Sequence, residues 1–265
     1  MLAITPDGRF VYVANRASHN VSVIKTASQR TVGSPIRVGR QPRGITASPN
    51  GERVYTANRT SDDVSVIKTD NNRTVDRVNV GSRPHGITIT PNGRRVYVAN
   101  NDDNDVSVIK TSNNRTVGSP IGVGNGPEGM VASPDGNRVY VANFFARTVS
   151  VIETATNHTV ATIAVGGGPT GIAITPNSAR VYVANESDGT VSVIDTATNT
   201  VVGAPIAVGA TPVSVAITPS GTRAYVVNRG SDNVSVVDTS TNLVLGGPIG
   251  VGNGPRGIAI TDRPP

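Results

Sequence analysis

All six tyrosines of this 265-residue chain sit at one position of an internal repeat: Tyr12, Tyr55, Tyr97, Tyr140, Tyr182 and Tyr225, at intervals of 43, 42, 43, 42 and 43 residues. A period in the forties means stacked supersecondary units, none of which buries its own apolar face alone, so the array and not the single unit is the folding object. The register is unbroken and no linker-like stretch interrupts it. One domain spanning 1–265 is therefore expected, with repeats starting near residues 1, 44, 86, 129, 171 and 214.

Residues 84–124 show what one unit contains. A short apolar run at 86–90 ends in Pro91-Asn92-Gly93, where proline presets φ and glycine accepts a positive φ, so the chain reverses into a second run at 95–99. Polar loops then separate a third run, 106–110, from a fourth near 116–123. Four antiparallel strands of this kind make one blade of an all-β propeller. Pro35, Pro120, Pro205 and Pro248 fall within the fourth run, whereas the equivalent segments near Val75 and Val160 lack proline and are one residue shorter. A strand proline with an added residue belongs to a bulged edge, so the fourth strand is the outer one and the first lies nearest the axis. After six units, residues 254–261 repeat a first strand. A six-bladed ring closed by that strand is expected, the alternative being a seven-bladed propeller with an incomplete blade.

The chain has no cysteine, which removes disulfides, thiolate metal sites and a cysteine nucleophile. No run approaches the roughly 18 apolar residues of a membrane span, and the N-terminus does not read as an export signal. The net charge of +6 is uneven. Residues 1–120 hold 17 Lys/Arg against 9 Asp/Glu, and 121–265 hold 7 against 9. That asymmetry points to an anionic partner on the first half.

The segments "RVYVAN", "TVSVIDTATN" and "PTGIAITPN" resemble the YVTN family of β-propeller repeats over nearly the whole chain. The family is similar to archaeal surface-layer propellers and, more distantly, to lactonase-type and streptogramin-lyase propellers. The resemblance implies an extracytoplasmic or cell-surface setting and fixes no single activity.

Residues repeated in every blade read as scaffold. A tyrosine per blade suits blade-to-blade packing, and an Asn closing the second strand or a Ser within "VSV" is present six times, whereas a nucleophile needs one unique environment. "GNGPEG" and "GNGPRG" match the dinucleotide fingerprint in letters only, since they lead into strands and contain proline. Asp102, Asp103 and Asp105 lack the Gly and distant Glu of a calcium loop.

The informative positions are those that vary within a constant frame. The x of "P-x-G" at the start of the first strand, with Ser214 in place of the glycine in the sixth unit, is Arg43, His85, Glu128, Thr170, Val213 and Arg256. These residues are expected to ring one channel mouth, with Arg43 and Arg256 holding an anionic group, Thr170 beside them, and His85 and Glu128 as base and acid or as ligands of a divalent metal. A multi-histidine metal centre is not expected from three histidines, and no cofactor is required. A second varying feature is a basic rim of Arg30, Arg37, Arg40, Arg73, Arg77, Arg83 and Arg115, absent from later units. It suits a protein or an anionic glycan or other polyanion; without interleaved aromatics, sequence-specific nucleic acid is not an expected partner. The leading expectation is a non-enzymatic binding or cell-surface scaffold, and the alternative is a propeller hydrolase or lyase at the channel mouth.

Overall fold

A computed structural model describes residues 1–261. Among these residues there is no helix; every regular element is a strand. They form six consecutive four-stranded antiparallel blades in which each strand pairs with the next along the chain, a six-bladed β-propeller fold. In the blades containing Pro35, Pro120, Pro205 and Pro248 the fourth strand is split into two short pieces, both paired to the third strand, such as Arg30–Thr31 and Ile36–Arg37. In the two blades without that proline it runs unbroken over Arg73–Asn79 and His158–Ala164. Proline offers no ladder donor, so the split follows directly from its position.

By backbone proximity the described residues divide into two compact units, Met1–Gly122 with Thr261, and Val123–Ile260. The first unit holds blades 1 to 3 and the second blades 4 to 6. Within each, the first strands of consecutive blades pack against one another. The segment 254–261, expected as a strand, belongs to no sheet; Thr261 lies beside Gly8.

The core is a series of interblade layers. One joins Tyr12, Val21, Val23 and Ile36 of blade 1 to Ile45, Val54 and Ile67 of blade 2, and another joins Tyr182, Val191, Val193 and Ile206 of blade 5 to Val215, Ala224, Val226 and Val237 of blade 6. At each of these junctions one blade presents a forward face centred on its tyrosine, and the next blade packs its rear face against it. Polar bonds register the layers: Tyr12 Oη donates to Asn72 Oδ1 at 2.7 Å, and Tyr182 Oη to Asn242 Oδ1 at 2.7 Å. The repeated Asn and Ser form one brace inside each blade. Asn58 Nδ2 donates to Asp63 (2.6 Å) and Ser65 (2.9 Å), and Asn185 Nδ2 to Thr190 (3.0 Å) and Ser192 (2.9 Å). These serines are tied into the sheet.

Candidate functional site

His85 and Arg43 open neighbouring first strands of the first unit, Pro84–Ile89 and Pro42–Ala47. They can approach because the residue after Arg43 is glycine: a Cβ on Gly44 would stand 2.3 Å from the His85 carbonyl oxygen. The same close approach is built at Gly129, where a Cβ would stand 2.0 Å from the Thr170 carbonyl oxygen. His85 is 9% exposed. Burial, and then the guanidiniums of Arg43, Arg16 and Arg83, hold its pKa down to about 3, so the imidazole is neutral at pH 7 and offers one donor and one lone pair. Arg83 pairs with Asp102 at 3.1 Å while its own amide donates to Asp62 at 2.8 Å. Its φ is 50°, a left-handed conformation shared by Gln41 at the same repeat position of blade 2, where blades 4 and 5 are entered through Gly126 and Gly168. An arginine kept where glycine fits better is a strained residue at a cationic cluster.

Thr170, Glu128 and Arg256 belong to the second unit. The Thr170 hydroxyl is buried and spent on main-chain oxygens of Pro212 (3.4 Å) and Ala184 (3.5 Å). Glu128 is half-buried, and Arg256 lies in the segment outside the sheets. Among the described residues, no group of three His, Cys, Asp or Glu side chains is gathered as a metal site.

The basic rim separates into two places. Arg37, Arg40, Arg77 and Arg83 lie toward the blade end where the first strands begin; Arg77 faces Asp63 at 3.8 Å. Arg30, Arg73 and Arg115 lie at the opposite end, each directly across the ladder from a lysine: Lys25–Arg30, Lys68–Arg73 and Lys110–Arg115. On the other side of two of those lysines stand Arg53 and Arg95. Two blades therefore carry rows of three adjacent cations, Arg53–Lys68–Arg73 and Arg95–Lys110–Arg115, and blade 1 adds Lys25–Arg30. The second unit breaks this pattern in every blade. Its rows read Arg138–Glu153–His158, Arg180–Asp195–Thr200 and Arg223–Asp238–Leu243, and Arg180 closes on Asp195 at 2.6 Å.

Like charges directly opposite on a sheet are destabilising. Nearby groups offset only part of this: Lys68 meets Asp70 at 2.8 Å, both exposed, and Arg53 donates to the Thr111 carbonyl at 2.9 Å. Charge along the sequence pointed to Arg30, Arg73 and Arg115 of the rows but not to Lys25, Lys68, Lys110, Arg53 and Arg95, nor to Arg16 beside His85. The signal was present, since the residue after "VSVI" is Lys in the first three repeats and Glu or Asp in the rest, save a Val for that Ile in the sixth.

Six antiparallel blades, a polar brace in each and a one-sided distribution of cations define a β-propeller repeat protein. The chain belongs to the family described as Lactonase, 7-bladed beta-propeller, which matches residues 1–75, 40–119 and 153–263. No curated protein matches. Among solved structures, the chain is similar to a hydrazine synthase of Kuenenia stuttgartiensis (TM-score 0.86, 22% identity, 96% of this chain and 87% of that one). It is also similar to a protein of unknown function from Desulfotomaculum acetoxidans (TM-score 0.83, 20% identity, 98% and 88%). A third is a candidate 6-phosphogluconolactonase from Bacteroides uniformis (TM-score 0.82, 18% identity, 96% and 85%). At these identities the likeness is one of fold.

Proposed function

We propose that the protein is a non-enzymatic binding scaffold whose first unit docks a linear anionic polymer of the carboxylated or sulfated glycan type, in an extracytoplasmic or cell-surface setting. The observation that carries this is the in-register rows of cations across blades 2 and 3, continued by Lys25–Arg30 in blade 1. A fold selected for stability alone would place a carboxylate at the middle position, as the second unit does three times. An anionic chain laid along the row adds countercharge beyond that which Asp70 gives Lys68, and its counterions are released on binding. Phe10, directly across from Lys25, is the aromatic beside the blade 1 row and is partly buried on the interblade core, so the rows offer charge more than a series of stacking faces, which fits recognition of charge and not of bases. The setting rests on the resemblance to surface-layer propellers.

The test is isothermal titration with a heparin oligosaccharide. Binding that weakens steeply with added salt, and weakens again on Lys110→Glu, supports the scaffold; no heat at low salt refutes it.

A second reading is lactone or ester hydrolysis at His85, favoured by membership of a family described as lactonases. There Arg43, Arg16 and Arg83 would hold an anionic substrate. A neutral His85 with pKa about 3 is a weak proton acceptor at pH 7. Lactone hydrolysis abolished by His85→Ala would establish this reading.

A further inference from the structure

In the second unit, Arg138 and Glu153 stand directly across one ladder of blade 4, as Arg180 and Asp195 do in blade 5. The blade 5 pair closes at 2.6 Å. In blade 4 both partners turn elsewhere. Arg138 Nη1 reaches into blade 5 and donates to the Thr196 carbonyl and to Asn199 Oδ1 (3.3 Å), while Glu153 Oε2 accepts the Thr156 hydroxyl at 2.8 Å. Arg138 and Glu153 line a hollow of about 450 Å³, bordered also by Asp135, Tyr140, Ser178 and Thr196. All of these residues belong to blades 4 and 5 of one compact unit.

The diversion of Arg138 leaves a second group unsatisfied. In blades 1 and 5 the tyrosine hydroxyl donates to the turn asparagine of the next blade, Asn72 or Asn242, at 2.7 Å. The matching acceptor for Tyr140 is Asn199 Oδ1, and there Arg138 donates instead. Tyr140 is fully buried, and among the described residues its Oη is the buried hydroxyl that finds no hydrogen-bond partner. The group beside it is the Arg138 guanidinium, which only donates, so the phenolic hydrogen has no acceptor. A buried donor in that state disfavours folding, and it lines the hollow.

We propose that this hollow binds a small zwitterion of the amino acid type, its carboxylate accepting from Tyr140 Oη and the Arg138 guanidinium and its ammonium donating to Glu153, with Asp135 at the rim. A guanidinium and a carboxylate kept apart on one cavity each lack the partner that the pair in blade 5 has, and a molecule carrying both opposite charges supplies the two together. The class follows from the balance of charge. Two carboxylates against one guanidinium repel a simple anion, and a simple amine would meet the charge of Arg138 and leave the phenolic hydrogen unmatched. Ala155 and Ala197 border the same hollow and suit a short apolar side chain. The site is independent of the cation rows, which belong to the first unit.

The test is saturation-transfer NMR of the whole chain with L-alanine, L-serine and γ-aminobutyrate, and with acetate and n-propylamine as carriers of one charge only. Transfer to at least one zwitterion is expected, and weaker transfer to acetate and propylamine. Tyr140→Phe removes an oxygen whose hydrogen has no acceptor, so the urea midpoint should hold or rise. The Kd for that zwitterion should nevertheless weaken about tenfold, the loss of one hydrogen bond to a charged group. Glu153→Gln keeps the shape, removes the charge and should weaken binding as far. Tyr182→Phe, which loses a hydroxyl already donating to Asn242, is expected to bind as the wild type does. No transfer to any zwitterion, acetate or propylamine binding as well as the zwitterions, or affinity retained in both Tyr140→Phe and Glu153→Gln overturns the proposal.

Discussion

Arg83 adopts a φ of 50° beside a histidine kept neutral by burial and three guanidiniums. A left-handed non-glycine residue costs about 1–2 kcal/mol. Arg83→Gly removes that strain and also the ion pair with Asp102, so unfolding free energy should change by no more than about 1 kcal/mol while the cationic cluster is weakened; urea denaturation measures the first, anion titration the second. His85 supplies a pH dependence of known sign. Its folded pKa, about 3, lies below the ordinary 6.5, so as pH falls the unfolded chain takes up the proton first. The contribution is complete above about pH 6.5 and is lost as pH falls toward 3, at no more than about 1.4 kcal/mol per pH unit. Urea midpoints at about pH 7.5 and about pH 5 should differ in the wild type and converge in His85→Gln. A higher midpoint at the lower pH would contradict the sign.

Within an element, the interblade contacts are constrained most tightly at the glycines that open the first strands. The obstacle at Gly129 is a main-chain oxygen 2.0 Å from a built Cβ, which no side-chain rotation can relieve. Gly129→Ala should cost about 1–3 kcal/mol, read as a lower urea midpoint, whereas Gly118→Ala and Gly203→Ala, with nothing nearby, should cost less and only through their positive φ. The elements themselves were legible in the sequence. Alternation of apolar residues and a turn proline with glycine gave the strand order, because each acts through local backbone geometry; the proline of the fourth strand was expected to mark a bulge, but there the strand is split, and the register shifts lie in the two unbroken fourth strands instead. The cross-strand rows were less visible. Lys68 and Arg73 are five residues apart with a turn between them, and only the ladder register shows that they stand opposite each other.

For the molecule as a whole, the repeat count and the blade architecture could be read from periodicity, while burial could not. His85 was expected to ring a channel mouth; it is buried, with Arg43 and Arg16 of earlier repeats near it, surroundings that one repeat does not contain. What survived the transition from sequence to structure is the division of charge, sharpened into three cationic rows in one unit and three with a central carboxylate in the other.

The most direct measurement follows from that division. In Lys68→Glu combined with Lys110→Glu, two rows of the first unit are rebuilt on the pattern of the second. If the cations serve a polyanion, the variant must become more stable, by ~0.2–1 kcal/mol per opposed pair removed, and at the same time lose heparin affinity and shed part of its salt dependence. A variant that binds as tightly as the wild type, or that is destabilised, would show that the rows are ordinary solvated surface and that the binding role lies elsewhere.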